Sequence, residues 1–257
     1  MASGLITLTT DFGLSDHYVG VVKGVILRCN PQARIVDLCH QIEPYDRVGA
    51  ALTLAASYPY FPEGAVHVVV VDPGVGSARR ALVAEAAGSL FVAPDNGVLE
   101  LVYQRHPHVV RALRTETFAL QPTSQTFHGR DVFAPAAALL SRGSDPGGLG
   151  ERIQDYQRLD LPRPRRLDPQ RLEGRILKAD RFGNLITNLH PADLPAAFQI
   201  VVGGARIATL QPDYASAGDG EVFAIQGSSG YIEISIKQAS AAQALGAGPG
   251  TALEVRG

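Results

Sequence analysis

Tryptophan is absent from this sequence, methionine occurs once, and Cys29 and Cys39 are its two cysteines. The cysteines form no Cys-x-x-Cys pair and have no ligand partner close by in sequence, so a zinc site is unsupported. Two thiols in 257 residues also exclude a disulfide framework. Lysine is confined to Lys23, Lys178 and Lys237, and the net charge is −2. A chain this close to neutral lacks the basic footprint of a nucleic-acid binder. No apolar run approaches the roughly 20 residues of a membrane span. No charged and then apolar leader precedes the strand-like Leu5-Ile6-Thr7-Leu8-Thr9, so the expected location is the cytoplasm. There is no G-x-G-x-x-G after the first strand, no P-loop and no G-x-S-x-G elbow. Dinucleotide oxidoreductases, P-loop triphosphatases and α/β-hydrolases thereby leave the front rank.

What is present starts with Val68–Arg80, which reads VVVVDPGVGSARR. Four valines predict a strand buried on both faces of a parallel sheet, ending at Asp72. A Pro-Gly turn then returns Arg79 and Arg80 beside that strand end, where open α/β sheets bind ligands. A strand over residues 5–10 and an amphipathic helix from Ser15 to Leu27 precede it, with a short strand over 34–38 and a helix over 47–58. Strands over 82–86 and 90–93 and a buried helix over 133–140 follow. This alternation predicts an α/β domain with a largely parallel sheet over residues 1–160. Residues 161–173, rich in proline and arginine, have linker composition. From residue 174 to 257 the period becomes two, with glycine turns between short strands, which predicts a small all-β, barrel-like domain.

Each candidate functional residue has a plain structural role to set beside it. Asp11, after the first strand, can cap a helix or accept hydrogen bonds from a ribose diol. Asp72 and Arg79 can be an ordinary ion pair or a reactive site. His128, ahead of Gly129-Arg130-Asp131, can pack or handle a proton near neutrality. Asp95 and Asn96, in Pro94-Asp95-Asn96-Gly97, read mainly as turn residues. Asp180-Arg181-Phe182-Gly183-Asn184 and Gly227-Ser228-Ser229-Gly230 are polar loops that suit either a hairpin or a small polar ligand.

The order of these segments is more specific than any one of them. Thr10-Asp11-Phe12-Gly13, Asp37-Leu38-Cys39-His40, Pro44-Tyr45-Asp46, Val71-Asp72-Pro73-Gly74, Pro94-Asp95-Asn96-Gly97, Phe127-His128-Gly129-Arg130-Asp131 and Phe182-Gly183-Asn184 occur in sequence. Taken together, the chain resembles the adenosine-forming S-adenosyl-L-methionine hydrolases, relatives of bacterial fluorinase and chlorinase. The resemblance implies hydrolysis of S-adenosyl-L-methionine to adenosine and L-methionine by water attack at C5′, with no cofactor and no metal. It also implies a homotrimer with active sites between subunits.

The family's catalytic aspartate, arginine and histidine fall on Asp72, Arg79 and His128, and its ribose-binding aspartate on Asp11. Tyr45 matches the ring that stacks on adenine, Asp180 the acid that meets the methionine ammonium, and Asn184 the amide that reads adenine. Ser228 matches a serine at the methionine carboxylate; in the halogenases an arginine follows it, and Ser229 stands here. Either Asp72 or His128 can take the proton from water. The alternatives are a halide-dependent adenosyltransferase, which would have lost the Asp72, Arg79 and His128 set, and a non-catalytic adenosyl-compound sensor.

Overall fold

The computed structural model describes residues 3–257, in two compact units that divide between Leu159 and Asp160. In the first, β1 (Leu5–Thr10) leads through α1 (Tyr18–Cys29) to β2 (Arg34–Cys39), and α2 (Arg47–Ser57) leads to β3 (Val66–Val70). The β4 (Ala81–Ala86) and β5 (Ser89–Pro94) strands form a hairpin, followed by α3 (Glu100–Arg105) and β6 (His108–Leu113). A π-helical turn over Gly129–Phe133 runs into α4 (Ala134–Ser141), and α5 (Pro146–Leu149) precedes β7 (Gly150–Ile153).

The sheet order is β2-β1-β3-β5-β4-β6-β7. Pairing is parallel from β2 to β5 and antiparallel from β5 to β7. Every residue of β1 and β3 is buried, as expected of central parallel strands covered on both faces. The small side chains of α4 let it lie close on these strands, where Ala134, Ala137 and Phe133 share a core with Ile6, Val68 and Ile26. The β6 and β7 strands were not evident in the sequence, because their mostly half-buried or exposed residues lack a continuous apolar run. The β4–β5 turn needs only Ala87 and Gly88, both at positive φ, the geometry that suits a two-residue hairpin.

The second unit is all β apart from one short α-helix and a 3-10 turn over Pro191–Asp193. Its strands are β8 (Arg165–Asp168), β9 (Arg171–Ala179), β10 (Leu185–Thr187), β11 (Gln199–Val202), β12 (Ala205–Ile207), β13 (Leu210–Gln211), β14 (Val222–Gln226) and β15 (Ile232–Ile236). The α6 helix (Ala241–Leu245) and β16 (Ala252–Arg256) complete it. The order β12-β11-β16-β9-β10-β15-β14-β13 makes a strongly curled half-barrel sheet. Ile176, Leu185, Ile200, Ile232, Ile234 and Leu253 fill its concave side. Residues 161–173, expected as a linker, hold β8 and the start of β9, with Arg165 and Arg166 exposed along a charged sheet edge.

One buried group ties the fold to pH. His67 on β3 is fully buried, stacks on Phe91 with ring centroids 5.0 Å apart, and has its Nδ1 2.8 Å from Thr7 Oγ1. Burial lowers its pKa from 6.5 to about 4. The folded protein therefore holds a neutral imidazole while the unfolded chain takes up a proton below about pH 6.5. Stability is fully present above that pH and is lost as the pH falls toward 4. Between neutrality and about pH 4.5 this one group should cost about 2 to 3 kcal/mol. Urea unfolding of the wild type and of His67→Phe at the two pH values checks this: the variant should lose that share of the acid destabilisation.

Candidate active site

The parallel half of the sheet delivers Asp11 and Asp72 to one rim, just beyond the carboxyl ends of β1 and β3. The chain after Asp72 folds into a tight loop. Gly74 N–H donates to Asp72 Oδ1 at 3.2 Å and Ser77 Oγ donates to Gly74 O at 2.7 Å. Gly76 sits at φ 79°, with its bare Cα against the Gln125 carbonyl, where any side chain would collide. That loop returns Arg79, whose Nε donates to Asp72 Oδ1 at 3.1 Å and Oδ2 at 2.9 Å. Both side chains are nearly dry, Arg79 at 9% and Asp72 at 5% exposure. The guanidinium also lies over the Phe133 ring, 5.3 Å from its centroid.

Arg79 has a second partner. Its Nη2 lies 2.6 Å from His128 Nδ1. A guanidinium can only donate, so Nδ1 accepts and carries no proton. His128 is therefore neutral, with its hydrogen on Nε2. Burial is the leading cause of its lowered pKa, followed by the charge of Arg79, and Asp72 and Asp131 oppose the shift in part. A single guanidinium thus joins the carboxylate and the imidazole.

Asp11 accepts a hydrogen bond from Tyr45 N–H at Oδ2, 2.9 Å. Burial raises its pKa, the backbone N–H groups of Tyr45 and Asp11 itself oppose this, and nearby Asp72 adds to the rise. Tyr45 is held at φ 68°, unusual for a residue with a side chain, and 70% of its surface is exposed. Asp11, Tyr45, Asp72 and His128 line one cavity of about 330 Å³. Phe12, Tyr18 and Phe127 wall it, with ring centroids 5.2 to 5.9 Å apart. Arg79 and His128 also border a second, polar cavity of about 510 Å³.

The remaining candidates gather in the second unit. Asp180, Asn184 and Ser228 line a cavity of about 740 Å³. Asp180 Oδ1 accepts from Phe182 N–H at 2.9 Å and Asn184 N–H at 2.8 Å, while Oδ2 accepts from Asn184 Nδ2 at 2.9 Å. Its carboxylate therefore shapes the turn as well as facing the cavity. Glu233, not among the residues expected from the sequence, shares this cavity, and its bare neighbour Gly227 makes room for its carboxyl. Burial, and then the charge of Asp180, raises the Glu233 pKa. The signal was present: Glu233 alternates with the core residues Ile232 and Ile234 on β15, so it faces the other side. Among the described residues, no group of three or more His, Cys, Asp and Glu side chains is placed to hold a metal ion.

The site is that of a small-molecule enzyme: charged groups converge at the carboxyl ends of parallel strands, beside an aromatic cavity. Residues 6–150 match the SAM hydroxide adenosyltransferase N-terminal domain and residues 174–254 the corresponding C-terminal domain, and the chain belongs to this family. It is 41% identical to an (R)-S-adenosyl-L-methionine hydrolase of Thermus thermophilus, over 92% of this chain and 93% of that protein. Identity to a fluorinase of Nocardia brasiliensis is 28%, over 98% and 96% of the two chains. A crystal structure of an uncharacterized conserved protein from Thermotoga maritima superposes with TM-score 0.90 at 34% identity, covering 98% of this chain and all of that one. Among the described residues no helix is long and apolar enough to cross a membrane.

The hydrogen-bond geometry makes a spectroscopic prediction. In nitrogen-resolved NMR, His128 should be the neutral Nε2–H tautomer at neutral pH and should titrate below an ordinary histidine. Arg79→Gln removes a neighbouring positive charge and should move that titration upward. A wild-type His128 that titrates at or above the ordinary value contradicts the arrangement.

Proposed function

We propose that this protein hydrolyses S-adenosyl-L-methionine, water attacking C5′ to give adenosine and L-methionine. The observation that carries the reading is the Asp72–Arg79–His128 cluster, set at the wall of the cavity that also holds Asp11 and Tyr45. The relatedness to a hydrolase of this substrate supports it.

The substrate sulfonium departs as a neutral thioether, so the leaving group needs no acid. The demand falls on water, a weak nucleophile that must be held in line with the C5′–S bond. As the water oxygen bonds to C5′, the C5′–S electron pair passes to sulfur. The oxygen becomes a strongly acidic oxonium and gives up a proton. His128 Nδ1 is already occupied by Arg79 and its Nε2 carries hydrogen, so the imidazole orients rather than accepts. Asp72 takes the proton; even a carboxylate paired with Arg79 is basic enough for an oxonium. Arg79 keeps the carboxylate and imidazole in register through the step.

In this reading Asp11 holds the ribose hydroxyls and Tyr45 stacks on adenine. Asn184 reads the adenine edge, Asp180 meets the methionine ammonium and Ser228 the carboxylate. The working enzyme is a homotrimer with active sites between neighbouring subunits. In support, the cavity-lining rings of Tyr45 and Phe182 are 70% and 78% exposed, apolar surface of the kind assembly covers. No metal enters the reaction. Cys29 and Cys39 are free thiols, in keeping with the reducing cytoplasm. A halide-dependent adenosyltransferase would have lost the Asp72, Arg79 and His128 set, and this chain keeps all three.

Asp72→Ala tests the assignment. Its turnover should fall by about 100-fold or more, while affinity for S-adenosylmethionine, measured by calorimetry, stays within about threefold. A variant with wild-type turnover removes Asp72 from the mechanism.

A further inference from the structure

Asp95 and Asn96, which read as turn residues in the sequence, do more than turn the chain. Both are buried. Asn96 Nδ2 donates to the Val71 carbonyl at 2.9 Å, immediately before Asp72. Asp95 Oδ2 accepts from Arg80 Nε at 2.8 Å and Nη2 at 2.7 Å, immediately after Arg79. Asp95 N–H also donates to the Arg80 carbonyl at 2.9 Å. The loop that carries Asp72 and Arg79 is therefore fastened at both ends by one dipeptide.

That dipeptide is itself braced. Asn96 Oδ1 accepts from Val98 N–H at 3.1 Å, and its carbonyl accepts from Arg47 Nη1 at 2.9 Å. Asp95 Oδ1 accepts from Gln157 N–H at 2.7 Å. Gly97 follows at φ 86°, and a Cβ there would lie 2.7 Å from the backbone nitrogen of Leu159. The segment 157–159 thus packs directly on the turn and locks it.

We propose that Asp95 and Asn96 are positioning residues that set Asp72 against Arg79 and, through Arg79, hold His128 in its neutral tautomer. This rests on the reading that those three residues carry the reaction. The dipeptide touches no reacting atom; it fixes where the backbone enters and leaves the loop. A displacement of about 1 Å in a positioned group costs on the order of 100-fold in rate. Asp11 and Tyr45 lie outside the fastened loop, after β1 and β2, so substrate affinity should survive its loosening.

Asn96→Asp is the direct test. It keeps the size and the acceptor for Val98 but turns a carboxylate oxygen toward the Val71 carbonyl, where a donor stood. Its kcat should fall about 10- to 100-fold with KM changed less than about threefold, and the His128 ring nitrogen resonances should shift. Asp95→Asn, which weakens the hold on Arg80, should do the same to a smaller degree and serves if Asn96→Asp does not fold. Asn30→Asp is the control, because buried Asn30 donates to Ser141 Oγ at 2.9 Å far from the loop. It should lower the melting temperature but leave kcat and the His128 resonances unchanged. A folded Asn96→Asp or Asp95→Asn with wild-type kcat and His128 resonances overturns the clamp. If the wild type itself turns over no S-adenosylmethionine, the reaction assignment fails, and the resonances still judge the clamp.

Discussion

The first unit is organised around one guanidinium. Arg79 donates to both oxygens of Asp72 and to Nδ1 of His128, so it ties a strand end to the start of the π-helical turn before α4. Burying such a pair is costly, and a buried ion pair often stabilises a protein no better than well-packed apolar residues. Its presence beside the Phe133 ring, at the wall of a cavity, therefore points to a task rather than to stability. Arg79 makes the carboxylate and the imidazole inequivalent: one keeps lone pairs for a proton, the other presents an N–H. That division follows from arginine having donors only.

The fold supplies what Arg79 needs. Parallel pairing of β1 and β3 brings Asp11 and Asp72 to the same rim, and the tight loop after Asp72 packs against the Gln125 carbonyl at Gly76, where no side chain fits. Where β5 turns toward α3, Asp95 and Asn96 fasten both ends of that loop. The Asp11–Tyr45 contact forms a separate device on the neighbouring strands, with an exposed ring held in a conformation that costs energy. In the proposed reaction, catalytic geometry and substrate grip are thus built on different loops, which lets each be altered without the other.

The parts of this arrangement differ in how far they could be read from sequence. The β3 strand was legible because a central parallel strand carries a near-continuous apolar run, and β1 because its Leu, Ile and Thr residues favour strands. The β6, β7 and β16 strands were not, since a few partly buried residues without a continuous apolar run resemble a loop. Asp72 and Arg79 could be paired from the turn between them, but nothing in the spacing brings His128 to them; the resemblance to a known family made that link. Asp95 and Asn96 looked like turn residues, and they are. Their hold on Arg80 comes from the β4–β5 hairpin, and their hold on Val71 from the parallel pairing of β3 with β5, a long-range register that no local pattern records. Glu233 escaped notice among apolar neighbours, although its alternation with Ile232 and Ile234 marks the face it occupies.

In the proposed reaction water, directed by the Arg79-centred cluster, attacks C5′ of the adenosyl group. The most direct test is to incubate the purified protein with S-adenosylmethionine in oxygen-18 water, with and without chloride, and to analyse the nucleoside by mass. Adenosine carrying the heavy oxygen at C5′ should form equally in both media. A 5′-chloro nucleoside, or tight binding with no product at all, would contradict that reaction.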